Sequence, residues 1–336
     1  MSLEVVVACA LFAGVVAYAV LGGADFGSGF WDLTAGGSRR GAGMRTLIDR
    51  SIGPVWEANH VWLIYVLVMW WTAFPETFAA AMTTLYMPLV AALTGIVLRG
   101  AGFAFRKYAE TLGQARLFGA VFAASSVVAP FFLGTVAGAL ASGRVPADGH
   151  GDPWSSWLAP TPLLIGAVAV GTGAFLAGTF LNAEAARSGS TALAERLRTR
   201  TLAVGAATGA AVFASLVPVA RDAPALGAGL TVRAWPLMAA SALGGVATLA
   251  LLLRRRYGIA RFTAVVAVAA VVAGWGLGQY PWLLVGETTI GEAAGARTTL
   301  QGLLVAVGVA AVVVGPALGY LFYLTQSSQW AGDHEH

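Results

Sequence analysis

Along the chain, apolar runs about 20 residues long, enough to cross a bilayer, alternate with short polar connections from end to end. Nine spans can be drawn, over residues 4–24, 53–73, 77–98, 117–141, 161–183, 200–220, 234–253, 261–284 and 299–324. A segment inside lipid must satisfy its own backbone hydrogen bonds, so the expected fold is an all-α polytopic membrane protein. The glycine-rich stretch "ADFGSGFWDLTAGG" after the first span reads as a continuation of that helix or as its interfacial, broken end. The first run superficially looks like a signal sequence. It has no basic leading segment and its apolar part is too long, so it reads as a retained first helix.

The loops carry an independent signal. Arg39, Arg40, Arg45 and Arg50 follow the first span; Arg99, Arg106, Lys107 and Arg116 the third; Arg187, Arg196, Arg198 and Arg200 the fifth; Arg254, Arg255, Arg256 and Arg261 the seventh. These are 16 of the 20 basic residues, and they fall on one side of the nine-span drawing. The positive-inside rule then puts the N-terminus outside and the C-terminus in the cytoplasm. The very short "AFPET" predicts that the second and third spans pair antiparallel. The long connection rich in Pro, Gly and Trp near mid-chain divides the chain into two four-helix bundles plus one peripheral helix. The expected parts are residues 1–142, an extracytoplasmic loop over 143–160, a second half over 161–284, and a ninth helix with cytoplasmic tail over 285–336. "FAGVVAYAVLGGAD" and "GAFLAGTFLNAEA" echo one another, as a parallel repeat would require. Small-residue stretches such as "AVGAATGAAVFAS" predict close helix packing or a partner face.

Composition agrees with the pattern and excludes several chemistries. Hydrophobic residues make up 58% and charged residues 11%, against about 25% charged in soluble domains. The lone Cys9 excludes internal disulfides, iron–sulfur clusters and thiolate zinc sites, and reads as a small buried hydrophobe. Of His60, His150, His334 and His336, His60 alone can lie in the bilayer. A bis-histidine haem within this chain is thereby excluded, and no metal site is expected. The net charge of +4 is spread over short loops rather than gathered in a patch, so no nucleic-acid partner is expected. No nucleotide-binding or nucleophile motif stands in a plausible context.

The candidate chemistry centres on "GPVWEANHVW" at the head of the second span. Glu57 and His60 are i and i+3, Trp56 and His60 i and i+4, so they share one face of a helix. Asn59 sits about 100° round from His60. A buried carboxylate beside an imidazole can accept and donate protons. The competing reading is an interfacial helix start whose glutamate faces headgroup water. Asp25, flanked by glycines, is either recessed against a neighbouring helix or a helix-end residue. Arg99 either snorkels to the surface or pairs with Glu57 or Asp25. Asp32 and Asp49 read as residues of the wet loop and its basic neighbours. Asn182, Glu184 and Gln279 are polar-path or helix–helix hydrogen-bonding candidates. Trp56 and Trp62 either wall the polar cluster or serve as packing residues. Glu76, Glu287 and Glu292 fall at the outer surface.

"YAVLGGADFGSGFW", "RSIGPVWEANHVWLI" and "AFPETFAAAMTTLYMPLVAALTGIVLRGAGFAFR" together resemble, in order, the N-terminal half of subunit II of cytochrome bd-type quinol oxidases. The second half is similar mainly in layout, with "GTFLNAEAARSG" and "GQYPWLLV" as fainter echoes. The resemblance implies a haem-free subunit paired with a homologous subunit I that carries the b- and d-type haems and the quinol site. The complex would oxidise quinol and reduce oxygen to water with protons drawn from the cytoplasm. Membrane lipid, a structural quinone and small single-helix accessory subunits are further partners that it allows. It puts Glu57 and Asp25 on a proton pathway, which His60 and Asn59 would extend. Trp62, with Trp56, would border an oxygen-access route. The chain departs from that pattern at Gly22, where an acidic residue is usual, at His60, where Gln or Glu is usual, and in "VGET" after the eighth span. A proton-coupled secondary transporter and a quinone-binding anchor of another oxidoreductase are the competing readings.

Overall fold

The computed structural model describes residues 1–37, 39–52 and 56–326, apart from the side chains of residues 52, 56–58, 318 and 321–326. The first apolar run forms α1 (Leu3–Leu33), which continues unbroken through the glycine-rich stretch instead of ending in it. Its 31 residues reach about 46 Å at 1.5 Å per residue, well beyond a hydrocarbon core of about 30 Å. The last turns of α1 therefore stand among the arginine-rich loops. A short helix, α2 (Ala42–Ile52), precedes α3 (Trp56–Ala73) and α4 (Pro75–Thr84). The long helices α5 (Tyr86–Lys107), α6 (Leu112–Ala141), α7 (Pro160–Arg187) and α8 (Thr191–Asp222) follow. After α9 (Pro224–Val232), α10 (Trp235–Leu253) and α11 (Tyr257–Gln279) comes an antiparallel ribbon of β1 (Trp282–Leu284) and β2 (Thr288–Thr289), then α12 (Arg297–Gln326).

Among the described residues eight helices are long and apolar enough to span a membrane. A ninth span results if Asn59–Ala73 and Pro75–Thr84, bent by 119° at their junction, count as one. The expected third span over 77–98 is corrected here, because α4 ends at Thr84 and α5 runs on to Lys107. Pro88 explains the shift. Its ring would collide with the carbonyl four residues earlier, at Thr84, and it offers that carbonyl no N–H. In the first turn of α5 the missing N–H is harmless. The expected antiparallel pairing across "AFPET" is likewise replaced: α4 intervenes, and α3 packs on α1 and α12. The expected eighth span ends early, at Gln279, because Pro281 stops it and the β-ribbon takes over, closed by Gly286 at φ +80°.

α1 is the central element, packed on α3, α6, α7 and α11. Its crossing with α7 depends on glycine. A Cβ on Gly27 would lie 1.9 Å from the carbonyl oxygen of Gly173, and one on Gly173 would lie 2.7 Å from that of Gly23. Two backbones in direct contact leave no side chain that can give way. Nearby, Trp31 Nε1 donates to the Ala174 carbonyl at 2.8 Å. α12 touches α1 and α3 and otherwise exposes Val305, Val309, Val312 and Val313, which makes it peripheral.

Gly27→Ala is expected to force α1 and α7 apart and to destabilise the chain at or above the upper end of the about 1–3 kcal/mol usual for overpacking. Gly37→Ala, where a Cβ meets nothing within 4 Å, serves as the control. Thermal unfolding in detergent reads both, and equal stability of the two variants would rule out a tight crossing.

Candidate functional site

Tyr18, Asp25 and Asp32 recur every seven residues along α1. Seven residues are close to two helical turns, so the three side chains share one face. On α5, Arg99 and Arg106 are also seven apart. The two sets meet as a two-rung ladder with the same sequence offset of 74 in each rung. In the inner rung Arg99 Nη2 lies 2.7 Å from Asp25 Oδ1, with the side chains 1% and 2% exposed. Arg99 Nη2 also reaches the Asp25 carbonyl at 3.3 Å, which accepts from Ser28 Oγ as well. The guanidinium lies 5.1 Å from the ring centres of both Phe26 and Phe122. Contact with the aromatic faces replaces part of the hydration lost on burial.

In the outer rung Arg106 Nη1 lies 2.5 Å from Asp32 Oδ2. Its Nη2 forks onto both carboxylate oxygens of Asp49, at 2.7 and 2.8 Å. Arg45 Nε donates to Asp32 Oδ1 at 2.8 Å, and Arg45 Nη2 to the Gly36 carbonyl at 2.7 Å. The placement of Asp32 in the wet loop is therefore corrected. It belongs to α1 and is 3% exposed, while Asp49, on α2, fits the loop reading with its side chain 42% exposed. The seven-residue spacing from Asp25 was the signal that could have found it.

α3 adds its own groups beside the inner rung. Asn59 is buried. The His60 ring lies 5.7 Å from that of Phe26 and 6.3 Å from that of Tyr18, centre to centre. The ring of Tyr18 covers Gly22, where a Cβ would lie 2.7 Å from Cε2. An aromatic ring thus fills the position at which the resemblance leads one to expect an acidic residue. Asp25, Arg99 and the half-buried His60 thus surround the Phe26 ring, with Tyr18 as a further member that the sequence pattern did not single out. The side chains of Glu57 and Trp56 lie outside the described residues, and their backbone forms the first turn of α3. Trp62, two residues on from His60 and so on the far side of the helix, packs edge-on against Tyr65 at 6.1 Å.

The remaining polar candidates are tied up elsewhere. Asn182 Nδ2 bonds the Gly178 carbonyl at 2.9 Å and Thr201 Oγ1 at 3.0 Å, linking α7 to α8. Gln279 accepts from Trp275 Nε1 at 2.8 Å and donates to the Leu283 carbonyl at 3.1 Å. Glu184 pairs with Arg187. Cys9, expected to be buried, is exposed.

A family model for cytochrome bd terminal oxidase subunit II matches residues 3–325. The cytochrome bd ubiquinol oxidase subunit 2 of Bacillus subtilis (strain 168) is 31% identical over 121 residues, 36% of this chain and 35% of that protein. The cytochrome bd-I ubiquinol oxidase subunit 2 of Escherichia coli (strain K12) is 30% identical over 129 residues, 38% of this chain and 33% of that protein. In these matches the chain spans about a third of the relatives' length. A chain of the bd oxidase from Geobacillus thermodenitrificans shares the fold with a TM-score of 0.83 at 24% identity, over 97% of this chain and 99% of that one. Among the described spanning helices His60 is the one histidine, so they offer no pair of histidines to hold a haem between them.

Asp32 and Asp49 share Arg106 but differ in burial, which gives a direct test of the outer rung. Asp32→Asn is expected to cost about 1.5–3 kcal/mol, the worth of a charged hydrogen bond. Asp49→Asn should cost about 0–1 kcal/mol, as exposed pairs do. Thermal unfolding of the two variants measures the difference, and equal losses would contradict the geometry.

Proposed function

Because the chain belongs to the cytochrome bd terminal oxidase subunit II family, we propose that it is the haem-free second subunit of a bd-type terminal oxidase that oxidises quinol and reduces oxygen to water. It is a multi-pass protein of the bacterial cytoplasmic membrane. The match over residues 3–325 carries the reading, and it favours an oxidase subunit over a transporter or an unrelated quinone-binding anchor. The partner is a homologous subunit I that holds haem b and haem d. Those haems supply electron transfer and oxygen reduction there.

The part of this chain is to shape the complex and to carry protons. Loop charge puts the arginine-rich end in the cytoplasm, so the ladder and the first turn of α3 lie where protons enter. Arg99 cannot be deprotonated and holds Asp25 as a fixed polar post. Glu57 takes up the proton at the inner surface, and Asn59 and His60 continue the polar lining past Asp25. Trp62, on the side of α3 away from His60, borders an apolar route along which oxygen moves, and Trp56 walls the side that it shares with His60. Lipid or a structural quinone, and small single-helix subunits, would occupy the exposed apolar faces of α5 and α12.

In the purified complex Glu57→Gln is expected to slow quinol-driven oxygen uptake by about 10–100-fold, within or below the about 10²–10⁴ that a positioned acid–base group contributes. The reduced-minus-oxidised haem spectrum should be unchanged, and Glu57→Asp should be mild. Wild-type oxygen uptake in the Gln variant would remove Glu57 from the route. Isolation of the native protein without any haem-bearing partner would remove the oxidase reading itself.

A further inference from the structure

The ladder between α1 and α5 has two rungs, but the stripe on α1 has three members. One step beyond Asp25 toward the bilayer centre stands Tyr18. The same sequence offset of 74 leads to Ala92, a buried alanine on α5. The sequence thus has no cation at the third step, where the other two carry a guanidinium. Tyr18 nevertheless turns its polar end inward. Its ring lies over Gly22, one turn forward, and within 6.4 Å of the Phe26 ring and 6.3 Å of the His60 ring, centre to centre. The Phe26 ring is shared, with the Tyr18 ring at 6.4 Å and the Arg99 guanidinium at 5.1 Å from it.

Three buried polar atoms in this neighbourhood have no hydrogen-bond partner among the described residues: Tyr18 Oη, Asp25 Oδ2 and Arg99 Nε. Natural proteins pair more than about 90% of such groups, with protein or with ordered water. Three orphans in one place, comprising a donor–acceptor hydroxyl, an acceptor and a donor, match what a buried water uses, about three hydrogen bonds to otherwise unsatisfied groups. Among the described residues, Asp25 Oδ1 is committed to Arg99, and Phe26 and Phe122 present only rings to the guanidinium.

We propose that Tyr18 Oη, Asp25 Oδ2 and Arg99 Nε form a buried water site, with Tyr18 as the residue that extends the Asp25–Arg99 rung toward the bilayer centre. The water donates to Asp25 Oδ2, accepts from Arg99 Nε and shares one hydrogen bond with the Tyr18 hydroxyl. The site stands on these three groups and does not depend on the proton-route reading above.

The test is a structure of the full chain in its native membrane complex, determined at a resolution that shows ordered water, for the wild type and two variants. Wild type is expected to hold water within hydrogen-bonding distance of Tyr18 Oη and Asp25 Oδ2. Tyr18→Phe, which keeps the ring and removes the hydroxyl, should lose it. Gly22→Ala keeps the hydroxyl but places a methyl 2.7 Å from Tyr18 Cε2, pushes the ring aside and should also lose the water. A dry site in the wild type, or unchanged water in whichever variant assembles, overturns the proposal. The readout needs no turnover, so a failure of the oxidase reading would be seen separately, as a complex without haem.

Discussion

Everything near the arginine-rich end is organised around one ion pair, Asp25 with Arg99, which joins two helices inside the membrane. An isolated charge there would be expensive, and burial of a pair recovers that expense only when geometry and further hydrogen bonds are good. Here the guanidinium is held between two aromatic rings, and its partner is fixed on a helix that glycine contacts lock against α7. α5 packs on α6, which itself packs on α1. Across that arrangement Arg99 and Arg106 reach the α1 carboxylates in phase, because both rungs use the same seven-residue spacing.

The same arrangement relates structure to the proposed role. α1 is the element that touches most of the bundle, and it carries the polar stripe along one face while its glycines bring α7 close on another. The rigid side and the polar side are thus the same helix. α3 then lays His60 beside Phe26 and Tyr18, buries Asn59, and carries Glu57 in its first turn. A proton carrier needs fixed charges that do not themselves move, and a guanidinium that stays charged at every accessible pH is such a group.

Much of this was legible in the residues. Apolar runs located most of the long helices, and the loop arginines fell on alternate sides of that drawing. Asp25, Arg99, Asn59 and His60 stood out because polar groups in apolar runs are rare. What was missed has physical causes. Pro88 interrupts a run whose hydropathy is continuous, so the break at Leu85 left no trace in apolar pattern. Pro281 and Gly286 end the eighth span and turn the chain, a local signal outweighed by the surrounding apolar residues. Asp32 lies among glycines and near arginines, so composition suggested a wet loop, whereas its heptad spacing from Asp25 placed it on the buried face. Tyr18 reads as one more apolar residue until the ladder shows which way its face points. Pairing between helices 74 residues apart is a tertiary fact, and sequence could name the two partners of Arg99 only as alternatives.

The most direct measurement is a double-mutant cycle on Asp25→Asn and Arg99→Gln, read by unfolding of the chain in its native complex. Each single variant strands one member of a buried pair and should cost about 3–5 kcal/mol. The double variant should cost less than the sum, by about 2–3 kcal/mol, as contacting residues do. Additive losses would mean that Asp25 and Arg99 act independently, and the buried pair would not be the constraint described.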